Sequence, residues 1–174
     1  MEVRSALFAL LLAGFATFAD ASLAKASEGA ASGGGLGAPN AAADCEGRQS
    51  NTRLFVQVGQ LKSNQGEVAI TLYPSDPRRF LAPRGKLLRV RAKAGAPLTQ
   101  ACFYLPKPDS YAVAVYHDAN ANHEFDRNPV GLPAEGYGFS NDAPTKFGVP
   151  AFDAVRFSAG TGDTVIRIKM RYPH

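Results

Sequence analysis

From Arg53 onward, large apolar residues recur at every second position, and this alternation restricts the fold more than any other feature of the chain. In RLFVQVGQL (Arg53–Leu61), Leu54, Val56 and Val58 share one side. KLLRVRAK (Lys86–Lys93) sets Leu88, Val90 and Ala92 against Arg89, Arg91 and Lys93. DTVIRIKMRY (Asp163–Tyr172) sets Ile166, Ile168, Met170 and Tyr172 against Arg167, Lys169 and Arg171. The same period appears in GEVAITLY (Gly66–Tyr73), LTQACFYL (Leu98–Leu105), SYAVAVYH (Ser110–His117) and FDAVRFSA (Phe152–Ala159). Period two is the signature of a half-buried strand. The 12 prolines and 17 glycines oppose long helices. Seven strands, each with one apolar face, bury those faces only if two sheets stack. The expected fold is all-β: an antiparallel seven-stranded β-sandwich, immunoglobulin-like or transthyretin-like, with one long ordered loop. The Cys…Trp…Cys arrangement of antibody domains is excluded because the chain has no Trp.

The first 44 residues are of a different kind. ALFALLLAGFATFA (Ala6–Ala19) follows Arg4, and small residues come after it in ADA (Ala19–Ala21) and AKA (Ala24–Ala26). This is the pattern of a secretory signal peptide over residues 1–26, cleaved after Ala21 or Ala26. A membrane anchor needs about 20 apolar residues, more than this run supplies. Residues 27–44 are rich in Gly, Ala and Ser, with Leu36 the one large apolar side chain, and read as a flexible tether. The β-sandwich domain then occupies 45–174, and the expected location is periplasmic or secreted. In an oxidising compartment the two cysteines, Cys45 and Cys102, have a single intramolecular bridge open to them. For so long a loop the bridge contributes about 4 kcal/mol in the chain-entropy model. Buried free thiols are the alternative; Cys45 lies too far beyond the apolar run to be a lipid-bearing cysteine.

Between SYAVAVYH and FDAVRFSA the alternation stops for much longer than the ~12–15 residues at which structureless loops become uncommon. The connection opens with HDANANHEFD (His117–Asp126). Counting Asp118 as position one, Asn120, Asn122 and Asp126 fall at three, five and nine, and Glu124 at seven can offer its main-chain carbonyl. That is the ligand spacing of an oxygen-lined loop for Ca²⁺, with Glu135 or Asp142 able to complete the shell. His123 stands where such loops carry Gly, and Pro129 where they carry a bidentate Glu; with no flanking helices the loop is not an EF-hand. Affinity would be weak, with Kd about 10⁻⁴–10⁻³ M. Short polar side chains also close turns by bonding to nearby backbone, so a self-bonded turn stands beside the cation site.

The stretch YAVAVYHDANANHEFDRNPVGLPAEGYGFSND (Tyr111–Asp142) resembles a bacterial family, domain of unknown function 2141. Its pattern runs Y-A-V-x-x-x-H-D-x-N-x-N-G-x-x-D and then G-x-P-x-E-G-Y-G-F-S-N. Tyr111, Ala112, Val113, His117, Asp118, Asn120, Asn122 and Asp126 fit the first half. Gly131, Pro133, Glu135, Gly136, Tyr137, Gly138, Phe139, Ser140 and Asn141 fit the second. His123 departs from the family's Gly. The downstream PAFDAVRF and IRIKMRY are similar too, so the resemblance spans most of Leu54–Tyr172. It implies an exported β-sandwich and no activity.

Other constellations point away from catalysis. His117 and Asp118 are adjacent in a strand and face opposite ways, so neither can orient the other toward Ser140. His117 reads as a hydrogen-bonding residue at the strand end that holds the long loop down. A hydrolase with Glu135 and Asp118 as paired carboxylates needs them about 5–10 Å apart in an open cleft. Basic residues form two rows, Arg89, Arg91 and Lys93, and Arg167, Lys169 and Arg171. If both strands share a sheet they make a positive plate for anionic glycan or lipid. Without interleaved aromatics the plate does not suit single-stranded nucleic acid. The formal charge of +4 is too small to name a partner. The resulting reading is a non-enzymatic, exported binding or structural module with a Ca²⁺-ordered loop. Adhesion to an anionic surface is the alternative, and a cell-envelope hydrolase the third.

Overall fold

A computed structural model describes residues 45–145 and 148–173. The signal-peptide and tether assignments lie outside the described residues. Within them, eight strands run in chain order: β1 (Thr52–Gly59), β2 (Glu67–Tyr73), β3 (Leu88–Lys93), β4 (Leu98–Tyr104), β5 (Asp109–Asp118), β6 (Gly136–Phe139), β7 (Phe157–Ala159) and β8 (Gly162–Lys169). One sheet has the order β4-β1-β8; the other has the order β3-β2-β5-β6, with β7 pairing β5. No helix among the described residues is long and apolar enough to cross a membrane.

The inward faces are those the alternation marks. Leu54, Val56 and Val58 of β1 meet Val68, Ile70 and Leu72 of β2, Phe103 of β4 and Tyr111, Val113 and Val115 of β5 in one cluster. Each large apolar side chain withdrawn from water there contributes about 2 kcal/mol. β1 is the central strand of its sheet, and its inward residues Leu54, Val56 and Val58 stand in register with Thr164, Ile166 and Ile168. Cys45 and Cys102 are bonded, which fastens the start of the domain to β4. Glu46 adds two backbone bonds there, from its N–H to the Cys102 carbonyl (2.9 Å) and from the Tyr104 N–H to its own carbonyl (2.9 Å).

Three expectations are corrected. The strands number eight, not seven, because β6 lies inside the stretch read as loop. The sandwich is not wholly antiparallel, since β1 and β8 run parallel. And FDAVRFSA is not one strand: Phe152–Val155 is a single helical turn, α1, followed by β7. Phe152 and Val155, three apart, both face down into a second cluster with Tyr73, Ala112 and Phe139, and Phe80 packs against it. This cluster covers part of the outer face of the larger sheet.

β6 escapes the pattern because two of its four residues are glycines, which strands usually avoid. Here they are required by close approach. A Cβ on Gly136 would run into the Tyr172 ring, and one on Gly138 would lie 2.8 Å from the Lys169 carbonyl oxygen. The glycines let β6 come up against the end of β8. Tyr137 and Arg171 then exchange two backbone bonds, of 2.8 and 2.9 Å, and close that corner of the sandwich. Gly138→Ala should therefore destabilise the domain by about 2 kcal/mol, since backbone and not a flexible side chain must move. Urea unfolding checks this; an unchanged midpoint would contradict the close approach.

Candidate functional site

The site grows from the end of β5. Alternation sends His117 between the sheets and Asp118 to the outer face, and both are buried. His117 Nε2 lies 2.8 Å from the Gln65 carbonyl oxygen, which can only accept, so Nε2 carries the proton. Nδ1 accordingly accepts from the Tyr172 hydroxyl at 2.7 Å. That hydroxyl in turn accepts the Lys62 N–H at 2.9 Å. His117 thus ties β5 to the β1–β2 turn and to the C-terminal segment, rather than holding the long loop itself.

Asp118 is 0 % exposed. Its Oδ1 accepts the Asn122 N–H at 3.0 Å. Its Oδ2 accepts the His123 N–H at 2.8 Å and an Arg91 guanidinium N–H at 3.0 Å. Arg91 also donates to the Tyr116 hydroxyl and to the His123 carbonyl, both at 2.8 Å. Register explains the meeting: β2 lies between β3 and β5, and Ala69, with only a methyl group, stands opposite both Arg91 and Tyr116. The guanidinium can therefore lie across β2 and reach β5. To take the Asp118 bond, His123 adopts φ +69°, the left-handed region that Gly would enter without strain.

A second hub lies at the rim. The side-chain amides of Asn120 and Asn122 donate to the two oxygens of Asp126 at 2.9 and 3.0 Å. Glu124 donates its N–H to Asn122 Oδ1 at 2.8 Å. Beneath, Glu135 accepts the Ala119 N–H at 3.3 Å and the Asp126 N–H at 3.2 Å. Burial pushes its carboxyl pKa up; the two N–H donors oppose this, and the charges of Asp126 and Asp118 add to the rise. Phe125 packs edge-on against Tyr116 and Tyr137, pinning the loop to the sheet.

Of the residues singled out by spacing, Asp118, Asn120, Asn122 and Asp126 are thus drawn into mutual contact, and Glu135 joins them. Asp142 does not; its carboxylate accepts the Lys169 N–H at 2.8 Å at another corner. For a hard cation the two hubs differ. Asp118 is shut off from water and its charge is already matched by the Arg91 guanidinium at 3.0 Å, so this hub does not fit one. The half-buried Asp126 carboxylate carries one N–H on each oxygen and keeps a lone pair on each. Among the described residues no three His, Cys, Asp or Glu side chains converge to hold a metal. A cation at the rim would rest on amide and carbonyl oxygens as well.

The remaining candidates occupy structural positions. Ser140 is buried, with its hydroxyl on the Val113 and Val155 carbonyls. Glu135 and Asp118 are both buried in the turn and do not face an open cleft. The basic rows do not form one plate, because β3 and β8 belong to different sheets. Arg89 bonds Thr71, Arg167 bonds Gln57, Lys169 pairs with Asp142 at 3.7 Å, and Arg171 bonds the Asp142 and Ala143 carbonyls. Lys93 is exposed. Reading by spacing missed Arg91 as the partner of Asp118; only strand register brings the two together.

The family model described as an uncharacterized protein conserved in bacteria (DUF2141) matches residues 56–167. The chain belongs to this family. No curated protein and no solved structure matches it. In this DUF2141 domain, then, the hubs and their partners must be read from their own chemistry.

Two outcomes follow from it. Arg91→Ala leaves the Asp118 carboxylate buried without its cation and should cost about 3 kcal/mol in urea unfolding. Glu135 has a raised carboxyl pKa when folded, so the unfolded chain releases that proton first as pH rises. Its contribution to stability is therefore present at acidic pH and declines as pH climbs from the ordinary glutamate range through the raised folded value. The stability of wild type relative to Glu135→Gln should fall across that window; a difference independent of pH would contradict the assignment.

Proposed function

We propose that this DUF2141 protein is an exported, non-enzymatic binding or structural module, acting in the periplasm or outside the cell, whose long loop takes Ca²⁺ weakly at its rim. The observation that carries the reading is the convergence of Asn120 and Asn122 on the Asp126 carboxylate. A carboxylate and two amides in close contact, on exposed or half-exposed side chains, are the ligand types a hard cation takes, with Glu124 adding its main-chain carbonyl. Rotation of the two amides exchanges donor for acceptor, at the expense of the N–H bonds their oxygens now receive. Asp118 and Glu135 anchor the loop through backbone N–H groups and Arg91 neutralises Asp118, so Ca²⁺ is an addition to a loop that closes without it.

Export is supported by the signal-like segment at residues 1–26 and by the Cys45–Cys102 bridge, which suits an oxidising compartment. The non-enzymatic reading is supported by the structural bonds that occupy His117, Asp118, Glu135 and Ser140.

Calorimetry and thermal unfolding test the cation. With Kd about 1 mM, 10 mM Ca²⁺ stabilises the fold by about 1.4 kcal/mol and raises Tm by about 5 °C. Asp126→Ala should abolish that rise. No heat of binding and an unmoved Tm would remove Ca²⁺ from the account.

A further inference from the structure

The outer edge of β8 has no neighbouring strand over residues 162–167 among the described residues. Four bonds show which backbone groups point there. Gly162 donates its N–H to the Asn51 carbonyl at 2.8 Å, and Met170 donates to Gly59 at 2.9 Å. Both are even positions turned toward β1. Backbone groups alternate sides along a strand, so the odd positions turn outward. Farther along, they do: Lys169 donates to the Asp142 carboxylate at 2.8 Å, and Arg171 to the Tyr137 carbonyl at 2.9 Å. Asp163, Val165 and Arg167 therefore hold their N–H and C=O groups outward, and no described neighbour takes them.

The other edges are managed differently. β4 is covered near its end by Glu46. β3 carries Arg89, Arg91 and Lys93, the charged kind of edge that discourages pairing. β6 is closed by Arg171 at Tyr137. The β8 edge instead shows Val165, 44 % exposed, between one acidic and one basic residue.

We propose that this edge pairs antiparallel with the same edge of a second copy of the chain, about a two-fold axis at Val165. Only odd positions can face odd positions, which leaves few registers. One centred at Ile166 would need the Lys169 N–H, already given to Asp142. One centred at Thr164 sets Asp163 against Val165 and leaves its charge unmatched. The register centred at Val165 sets Asp163 opposite Arg167 twice, Thr164 opposite Ile166, and Val165 opposite itself. Three hydrogen-bonded residue pairs give about six N–H···O bonds, and the exposed valines bury one another.

The side chains permit it. Asp163 holds Arg53 with one bond to each oxygen, both 2.7 Å, and a carboxylate has about four acceptor sites. Arg167 uses Nε on Gln57 Oε1 at 3.0 Å, and its terminal nitrogens remain for the second copy. The axis makes the interface isologous, so assembly stops at a dimer and does not propagate into a fibre. The two three-stranded sheets would join into one of six.

Sedimentation equilibrium of the protein from micromolar to millimolar concentration tests this. A monomer–dimer equilibrium is expected. Arg167→Asp places like charges opposite each other twice and should weaken dimerisation about tenfold, whereas Gln100→Asp on β4 should leave it unchanged. Val165→Cys should form a disulfide with its own copy under oxidising conditions, because paired Cα atoms about 5.5 Å apart are within bridging range. Gln100→Cys is the control. A protein monomeric throughout, a dimer indifferent to Arg167→Asp, or a Val165→Cys variant that couples no faster than Gln100→Cys would each overturn the proposal. All three positions are exposed on strand faces, and circular dichroism confirms folding of each variant.

Discussion

A buried carboxylate governs the architecture around β5. Asp118 has no access to water, and an ionised carboxylate held in a protein interior is tolerable only when paired and hydrogen-bonded. Two backbone N–H groups and the Arg91 guanidinium meet that need. The two N–H groups belong to Asn122 and His123, so meeting it also determines how the chain leaves the strand. The loop must curl back over the strand end within a few residues, and His123 must accept a left-handed backbone to do so.

The consequences spread in both directions along β5. Outward, Arg91 crosses β2 to reach Asp118 and so links β3 with β5, while the loop brings Phe125 onto Tyr116 and Tyr137. Inward, His117 gathers the β1–β2 turn and the C-terminal Tyr172. Tyr172 lies against Gly136, so the same residue that completes the His117 bonds sets the limit on what β6 may carry. One strand thereby coordinates loop, turn, chain end and sheet corner. The rim pair of amides on Asp126 is the more accessible part of this arrangement, and it is coupled to the buried Glu135 carboxyl beneath through the Asp126 N–H and the Asp126 charge.

The alternation of Leu54, Val56 and Val58, and its counterparts in the other strands, was legible because period two needs only neighbouring residues to be seen. The stacking of two sheets followed from it. The convergence of Asp118, Asn120, Asn122 and Asp126 was legible as spacing, although not the identity of their partner. β6 was not legible, since GYGF carries glycine where a strand would show branched side chains. Its glycines answer to Tyr172 and Lys169, more than thirty positions away in the chain. FDAV followed by FSA read as one strand because Phe, Val and Phe are apolar at spacings that a single helical turn and a short strand can share.

What the amino-acid sequence determined alone is local in origin: a β class, an inward face for each strand, a break in the pattern after β5, and a crowd of oxygen-bearing side chains within it. What only the tertiary structure decided is pairing. The parallel union of β1 with β8, the placement of the basic rows in separate sheets, and the choice of Arg91 as counter-charge to Asp118 each join segments far apart in the chain. Period two tells a strand which way its side chains point, but backbone hydrogen-bonding groups are the same at every residue. The choice of neighbour therefore falls to side-chain volume and charge, and these act only once the sheets have come together.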